Sequence, residues 1–467
     1  MTKKGLHVVF VILLSCILML TACSGNNGTS NTTGDTAANN TSSDTKTNTD
    51  NATEDVTAES GMAWMNDVSG DVTIWGFNEN VFQEIAEAFM QEYPNIHVNA
   101  VFVPFGELHD NLQTALASGT GAPDIAEVEV NQFTRYVTGG VLEDLLQEPY
   151  NVAQYRDYIS DYNWERWRSP DGKQVLGMTW DSTPGVYYYR ADIFEELGLP
   201  SEPAELGEYI RDGENFLNLV QILAANGKYA MEWRDGPIHW AGDSIGYFDD
   251  NLEWVRNQPD LVQILDYTKR GNQLGWAPHM GFGSDEGKQL VKGGQLVGIA
   301  LGSWGGREIA INFPELSGKW RVTNLPMGIN TAIGGSSFVI PSQSKNKEAA
   351  WAFMTWCMRS ENAWKIWTKY QIQPGYTDIA SADWYANTAN EFLGGQLEYQ
   401  VYEELAKHIP AKRLNPLDGL GWGVWLNRVL EALDKNIDSK TTLQLAEDDA
   451  YAQLQADIDN LKAELNQ

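Results

Sequence analysis

Apolar residues recur along this chain with two periods, and beyond residue 70 the two alternate. Asp71-Val72-Thr73-Ile74-Trp75 places apolar side chains at every second position, the period of a half-buried strand. Phe82, Ile85, Ala86 and Phe89 follow at helical spacing, which predicts a helix over 81–93 closed by Pro94. Residues 96–103 return to the strand pattern, 107–118 form a second helix ended by Gly119-Thr120-Gly121-Ala122-Pro123, and 124–128 make a third strand. This β-α-β-α-β order predicts a parallel sheet, with ligand chemistry in the loops at the carboxyl ends of its strands.

Further along, 175–180 and 185–189 read as two extended segments joined by a polar turn. Residues 191–197 form a short helix stopped by Gly198 and Pro200, and 203–275 are mostly helical with an acidic, aromatic interruption at 233–250. Residues 296–301 and 337–340 read as buried strands, and the chain from Trp425 onward as helix with acidic faces.

The N-terminus has a different pattern. Lys3-Lys4 precede an apolar stretch over 8–20 and the triplet Leu20-Thr21-Ala22, a secretory signal too short and wrongly flanked for a stable membrane span. A cysteine directly after such a triplet resembles the bacterial lipobox. That implies removal of 1–22, acylation of Cys23, and an extracytoplasmic protein held on the cell membrane by its N-terminal lipid. The tract 23–60 is nearly all Ser, Thr, Asn, Gly, Ala and Asp, so it buries too little apolar surface to offset its ordering entropy and is expected to be a disordered tether. A coil of about 35 residues reaches on the order of 30 Å.

Charge narrows the partners. The net charge is −31, and removal of the two signal lysines takes it to about −33, which argues against nucleic acid and anionic lipid surfaces. With Cys16 in the signal and Cys23 acylated, Cys357 has no disulfide partner; its apolar helical setting suggests a buried structural thiol. The six histidines lack metal-ligand spacing, and the Gly-rich 298–306 stretch lacks the Lys-Ser/Thr ending of a phosphate loop, so no metal or cofactor is expected. Tyr187-Tyr188-Tyr189 could mimic an iron site, but strand alternation sends the middle ring to the opposite face, so core packing is expected. Glu127 and Glu129 alternate on a strand; such a pair more commonly forms a solvated edge or binds ligand than a catalytic dyad.

The order of landmarks resembles the family 1 extracellular solute-binding proteins of bacterial ABC importers, in the carbohydrate group that includes maltodextrin-binding protein. It rests on Gly121-Ala122-Pro123-Asp124-Ile125, Tyr189-Arg190-Ala191-Asp192-Ile193-Phe194 before Leu197-Gly198-Leu199, Leu301-Gly302-Ser303-Trp304, and Ile333-Gly334-Gly335-Ser336-Ser337-Phe338-Val339-Ile340. The resemblance implies an α/β fold of two lobes, 71–181 with 334–372 and 182–333 with 373–467, and a ligand cleft between them. Crossings would fall near 180–187, 330–336 and 371–376.

Sugar recognition needs flat aromatic faces for ring C–H groups and planar polar groups for hydroxyl pairs. Carried over by position, the binding residues are Phe77, Asn78 and Glu79 after the first strand, Glu129, Asn131 and Gln132 after the third, and Asp181, Gly335 and Tyr376 on the crossings. Trp304 is the expected stacking residue, while Trp240, Trp276 and Trp422 (or Trp425) fit either cleft or core. Where the maltodextrin branch has an acid-plus-Arg pair, this chain has Asn131-Gln132, implying a different hydroxyl arrangement. The implied function is capture of a neutral sugar or oligosaccharide for an ABC permease by a monomeric, non-enzymatic protein. The rivals are a polysaccharide-degrading lipoprotein and a surface polysaccharide-binding one.

The lipobox generates a direct expectation: Cys23→Ser leaves the chain unlipidated and releases it from the membrane fraction. Continued partitioning of the unlabelled variant with membranes, after radiolabelled lipid fails to attach, would refute the anchor.

Overall fold

The computed structural model describes residues 58–465; the signal, Cys23 and the tract up to residue 57 lie outside the described residues. The first sheet contains β1 (Gly70–Gly76), β2 (Ile96–Phe102), β3 (Ile125–Glu129), β4 (Met178–Thr179) and β8 (Ser336–Val339), in the order β2-β1-β3-β8-β4. β1 is parallel to both β2 and β3, as the early alternation predicts, but β8 and β4 join antiparallel, so the sheet is mixed. The reason is topological: β8 enters from a segment arriving from the other half of the molecule, on the side where β3 ends. Helices α1 (Glu79–Glu92) and α2 (Phe105–Ser118) connect the parallel strands, with Phe82, Ile85 and Phe89 of α1 buried as their spacing predicts.

The second sheet is antiparallel, in the order β6 (Gly298–Leu301), β5 (Val186–Arg190), β7 (Trp320–Asn324). β7 escaped the sequence reading because Trp320-Arg321-Val322-Thr323-Asn324 holds only two apolar residues. The segments 175–180 and 185–189 are not a hairpin: β4 lies in the first sheet and β5 in the second, so their connecting turn runs between the sheets. β5 separates two apolar layers, with Val186 and Tyr188 on one side and Tyr187 and Tyr189 on the other. All three tyrosines are buried and hydrogen-bonded, Tyr187 to Ala230 O (2.8 Å), Tyr188 to Tyr402 Oη (2.8 Å) and Tyr189 to Ser201 O (2.7 Å), which makes them core.

Three extended segments pass between the sheets and bond to one another laterally. Ser182 N donates to Gln373 O (2.9 Å) and Gly375 N to Trp180 O (3.2 Å) on one side. Gly185 N donates to Thr331 O (2.8 Å) and Ile333 N to Thr183 O (3.0 Å) on the other. The segment 180–185 is therefore the middle strand of a narrow ribbon joining the two halves.

A fourth passage departs from the expected division. After the helix Glu398–Ala406, the strap 407–417 sends Leu414 into the first-half core beside Phe133 and Trp167, while Leu417 packs into the second. Arg413 binds Glu165 (Nη1 to Oε2, 2.9 Å) on the first half and Asp250 on the second.

The stretch read as tether ends earlier than expected. A 3-10 helix spans Ala58–Asp67 and buries Met62 and Met65 against the helix Lys347–Arg359, which also encloses Cys357. A chain starting at Gly61 is expected to melt like the full mature protein. One starting at Asp71 should lose on the order of 2–5 kcal/mol for each buried methionine removed. Urea denaturation of the two truncations checks this, and equal stability would show that the 3-10 helix contributes nothing.

Candidate ligand-binding site

The carboxyl ends of β1 and β3, the three crossings and the loop after β6 converge on one region. Glu127, fully buried on β3, accepts from Phe77 N (2.8 Å) and Asn78 Nδ2 (2.8 Å), pinning the loop after β1. It is thus no solvated edge, because the first sheet is covered on both faces there. Phe77 lies edge-on to Phe105 with ring centroids 5.1 Å apart. Glu79 is the first residue of α1.

Glu129 accepts from Asn131 N (2.8 Å) and Asn131 Nδ2 (2.9 Å). Gln132 accepts from Arg135 through Oε1 (3.1 Å), so that amide oxygen is already engaged. Asp181 Oδ1 accepts from Ser336 N (2.9 Å), fastening the middle crossing to β8.

Beside these carboxyls stands Arg166, a residue the sequence reading missed. It is 4 % exposed, and its Nη2 donates to Gly334 O (2.5 Å), which also accepts from Thr183 Oγ1 (2.9 Å). Gly335 explains itself here: its φ is +108°, and a Cβ would sit 2.8 Å from Thr183 Oγ1 and 2.9 Å from Arg166 Nη2. Nothing in the sequence around Arg166 signals its role, since the carbonyl it holds is 168 residues away.

Desolvation dominates the electrostatics. Burial pushes Glu127 up to about 8, with the Asp181 charge adding, against the hydrogen bonds from Phe77 and Asn78. Burial raises Glu129 to about 7 and Asp181 to about 6, opposed in both by hydrogen bonds and the Arg166 charge. Carboxyls that titrate near neutrality can donate as well as accept hydrogen bonds.

Trp304 is half-buried, and its Nε1 donates to Ile333 O (3.0 Å) on the crossing. Ser303 Oγ donates to Ser182 O (2.7 Å), so the whole loop after β6 is tied to the ribbon. A second aromatic group lies on the second half. Trp425 Nε1 donates to His239 Nδ1 (3.0 Å), which leaves Nε2 to donate to Asp235 Oδ2 (3.0 Å) and fixes the neutral tautomer. Trp422 packs on His239 (4.8 Å) and is 36 % exposed, and Trp240 on the same helix as His239 is half-buried.

Two expected binding residues are corrected. Trp276 is 1 % exposed in the second-half core, its Nε1 donating to Arg234 O (3.1 Å), because Gly271 leaves room for the indole to fold back on the preceding helix Pro259–Leu274. Tyr376 is also 1 % exposed, with its hydroxyl on Met358 Sδ (3.2 Å) and Arg359 over its ring. Trp425, fully buried under Arg256, is core as well.

The profile of the bacterial extracellular solute-binding protein family matches residues 78–364, a span holding both sheets apart from β1's own residues. The chain belongs to this family. An arabinooligosaccharide-binding protein of Bacillus subtilis is 26% identical over 330 residues, covering 67% of this chain and 75% of that protein. A lactose-binding protein of Rhizobium radiobacter is 24% identical over 420 residues, covering 83% and 94%. Among solved structures, an extracellular solute-binding protein of family 1 superposes with a TM-score of 0.71 at 21% identity over 81% of this chain and 99% of that one. The galacto-N-biose-/lacto-N-biose I-binding protein of Bifidobacterium longum gives 0.66 at 20% identity, over 83% and 98%. The fold is thus the two-lobed one of periplasmic solute-binding proteins, with the cleft between its lobes, and the family places the protein outside the cytoplasm.

Glu127 yields a pH expectation. The folded state holds this proton above the ordinary value of 4.5, so the stability it contributes is full below about 4.5 and is lost as pH rises toward about 8. Glu127→Gln should flatten the fall in unfolding free energy over that window in urea titrations of the ligand-free protein. Parallel slopes for variant and parent would contradict the assignment.

Proposed function

We propose that this protein is the membrane-anchored substrate-binding subunit of a bacterial ABC importer, capturing a neutral sugar or short oligosaccharide and handing it to the permease. The observation that carries this reading is the half-buried Trp304, tied to a crossing segment beside Arg166, Glu129 and Asp181. A flat aromatic face next to planar polar groups is what a pyranose or furanose ring requires. The arabinooligosaccharide, lactose and lacto-N-biose ligands named for the relatives above support the same class of ligand.

The lobes in this reading are 71–181 with 334–372 and 182–333 with 373–467, the strap at Leu414 excepted. Phe77, Asn78, Glu79, Glu129, Asn131, Gln132, Asp181 and Gly335 serve from the first lobe and its crossings, and Trp240, Trp304 and Trp422 from the second. Ligand contacts available only when both lobes meet the sugar draw them together, a population shift that the permease reads. No covalent step or cofactor enters, the protein acts as a monomer, and Cys23 carries the lipid anchor.

A thermal-shift panel of arabinooligosaccharides, lactose, lacto-N-biose and maltodextrins tests the reading. A true ligand at a thousand times its Kd should add about 4 kcal/mol of apparent stability, and reducing-sugar release should be absent. Trp304→Ala should weaken sugar binding by about 2 kcal/mol or more while the ligand-free Tm changes little. Unchanged affinity by calorimetry with a sharply lowered Tm would make Trp304 a core residue.

A further inference from the structure

Behind the loop that carries Trp304, two phenols and a carboxyl stand in a row, each within hydrogen-bond distance of the next. Tyr188 Oη is 3.0 Å from Ser303 O, 3.2 Å from Gly302 O and 2.8 Å from Tyr402 Oη. Tyr402 Oη is in turn 3.0 Å from Glu398 Oε2. The far oxygen, Glu398 Oε1, accepts from Asn390 Nδ2 (2.8 Å), and the amide is held that way round because Asn390 Oδ1 accepts from Phe392 N (2.9 Å). Tyr188, Tyr402 and Glu398 are 0 %, 1 % and 4 % exposed, so they depend on one another for their hydrogen bonds.

Three contacts join Ser303 O to Glu398 Oε2, and each needs one proton between its oxygens. A carbonyl supplies none and each phenol supplies one, so the third must come from the carboxyl. A neutral Glu398 donates from Oε2 to Tyr402, Tyr402 donates to Tyr188, and Tyr188 donates to Ser303 O. An ionised Glu398 accepts only. It takes the Tyr402 proton in a charge-assisted bond, and the Tyr402 oxygen, made a better acceptor, takes the Tyr188 proton. The chain then runs the other way, and the carbonyls of the Trp304 loop lose their donor. Burial pushes the Glu398 carboxyl up to about 7, against the bonds with Asn390 and Tyr402. The titratable groups around it are Tyr399 and Tyr402 on its own helix, Tyr188 on β5 and Tyr385 on the helix Asp383–Ala386, all kept neutral by burial. Charged residues on the neighbouring segments are engaged elsewhere: Glu403 with Tyr385 (2.8 Å), Arg321 with Gly318 O (2.8 Å), and Asp378 with Arg359 (2.6 Å).

We propose that Glu398 is a positioning residue for the sugar site, a proton switch that acts through Tyr402 and Tyr188 on the loop carrying Trp304. Protonated, it holds the loop in its binding form; ionised, it lets the loop go. This rests on the saccharide-binding reading above and adds regulation of that site by the pH outside the cytoplasm. The loop keeps two other ties, Ser303 Oγ to Ser182 O and Trp304 Nε1 to Ile333 O, both to the ribbon. Losing the Tyr188 bond therefore slackens the loop on its second-lobe side without detaching it.

Calorimetry across pH, with a saccharide that the parent protein binds, tests the switch. In Glu398→Gln the amide donates to Tyr402 in place of the acid and accepts from Asn390 through its oxygen, so the variant is held in the protonated arrangement. Its affinity should match the parent's at low pH. If only the protonated form binds, the parent should fall behind the variant by about 10-fold between about pH 6 and pH 8, the loss of competent fraction around a midpoint of about 7. Glu127, Glu129 and Asp181 act alike in both proteins and cancel in this ratio. Tyr402→Phe cuts the chain, and its affinity relative to Glu398→Gln should not change with pH; should Glu398→Gln fail to fold, the parent is compared with Tyr402→Phe instead. A ratio of parent to variant affinity that is constant across pH overturns the switch. A ligand-free readout is hydrogen exchange of residues 298–312, which should be faster in the parent than in Glu398→Gln at about pH 8 and equal at about pH 6. Equal exchange at both also overturns it. If the exchange difference is present but the parent binds no saccharide, the functional reading falls and the proton chain stands, so the two failures are distinct.

Discussion

The backbone of residues 180–185 is the constraint on which both halves depend. On one edge it bonds to 373–375 and on the other to 331–333, so three chain segments that leave the first lobe at separate points are gathered into a single ribbon. Trp180 roots the ribbon in the first core by stacking on Trp367 (4.9 Å) and Phe338 (6.2 Å). Asp181, one residue on, fastens it to β8, and Ser182 accepts from the Trp304 loop of the second lobe. Backbone pairing of this kind holds the segments side by side while leaving their dihedrals free to share a small rotation.

The same ribbon concentrates polar groups where water is scarce. Glu127, Glu129 and Asp181 are all driven upward by desolvation, and Arg166 is driven down by it. Arg166 among carboxyls that titrate near neutrality leaves the region short of fixed charge and rich in hydrogen-bonding capacity. That balance suits a neutral, hydroxylated ligand, and it fits an overall acidic protein whose surface charge is spread elsewhere.

The strap qualifies the picture of two bodies joined only by a ribbon. Arg413 holds Glu165 of one lobe and Asp250 of the other, and Leu414 commits a residue of the C-terminal region to the N-terminal core. Both acids are at least partly solvent-exposed, so the ion pairs are modest in energy and compatible with opening. Leu414 is the firmer tether because its burial does not weaken with salt.

Local pattern alone determined the strands and helices between residues 70 and 129, the isolated buried thiol at Cys357, and the direction each tyrosine of β5 takes. These follow from periods of two and 3.6 residues, which are properties of neighbouring positions. Family resemblance added the crossings and the prominence of Trp304. Only the tertiary structure decided that β4 and β5 belong to different sheets, that Trp276 and Tyr376 turn into cores, and that Glu127 is sealed inside. It alone brought Arg166 to the carbonyl of Gly334, since the chain places them 168 residues apart and no local period records a contact made across that distance.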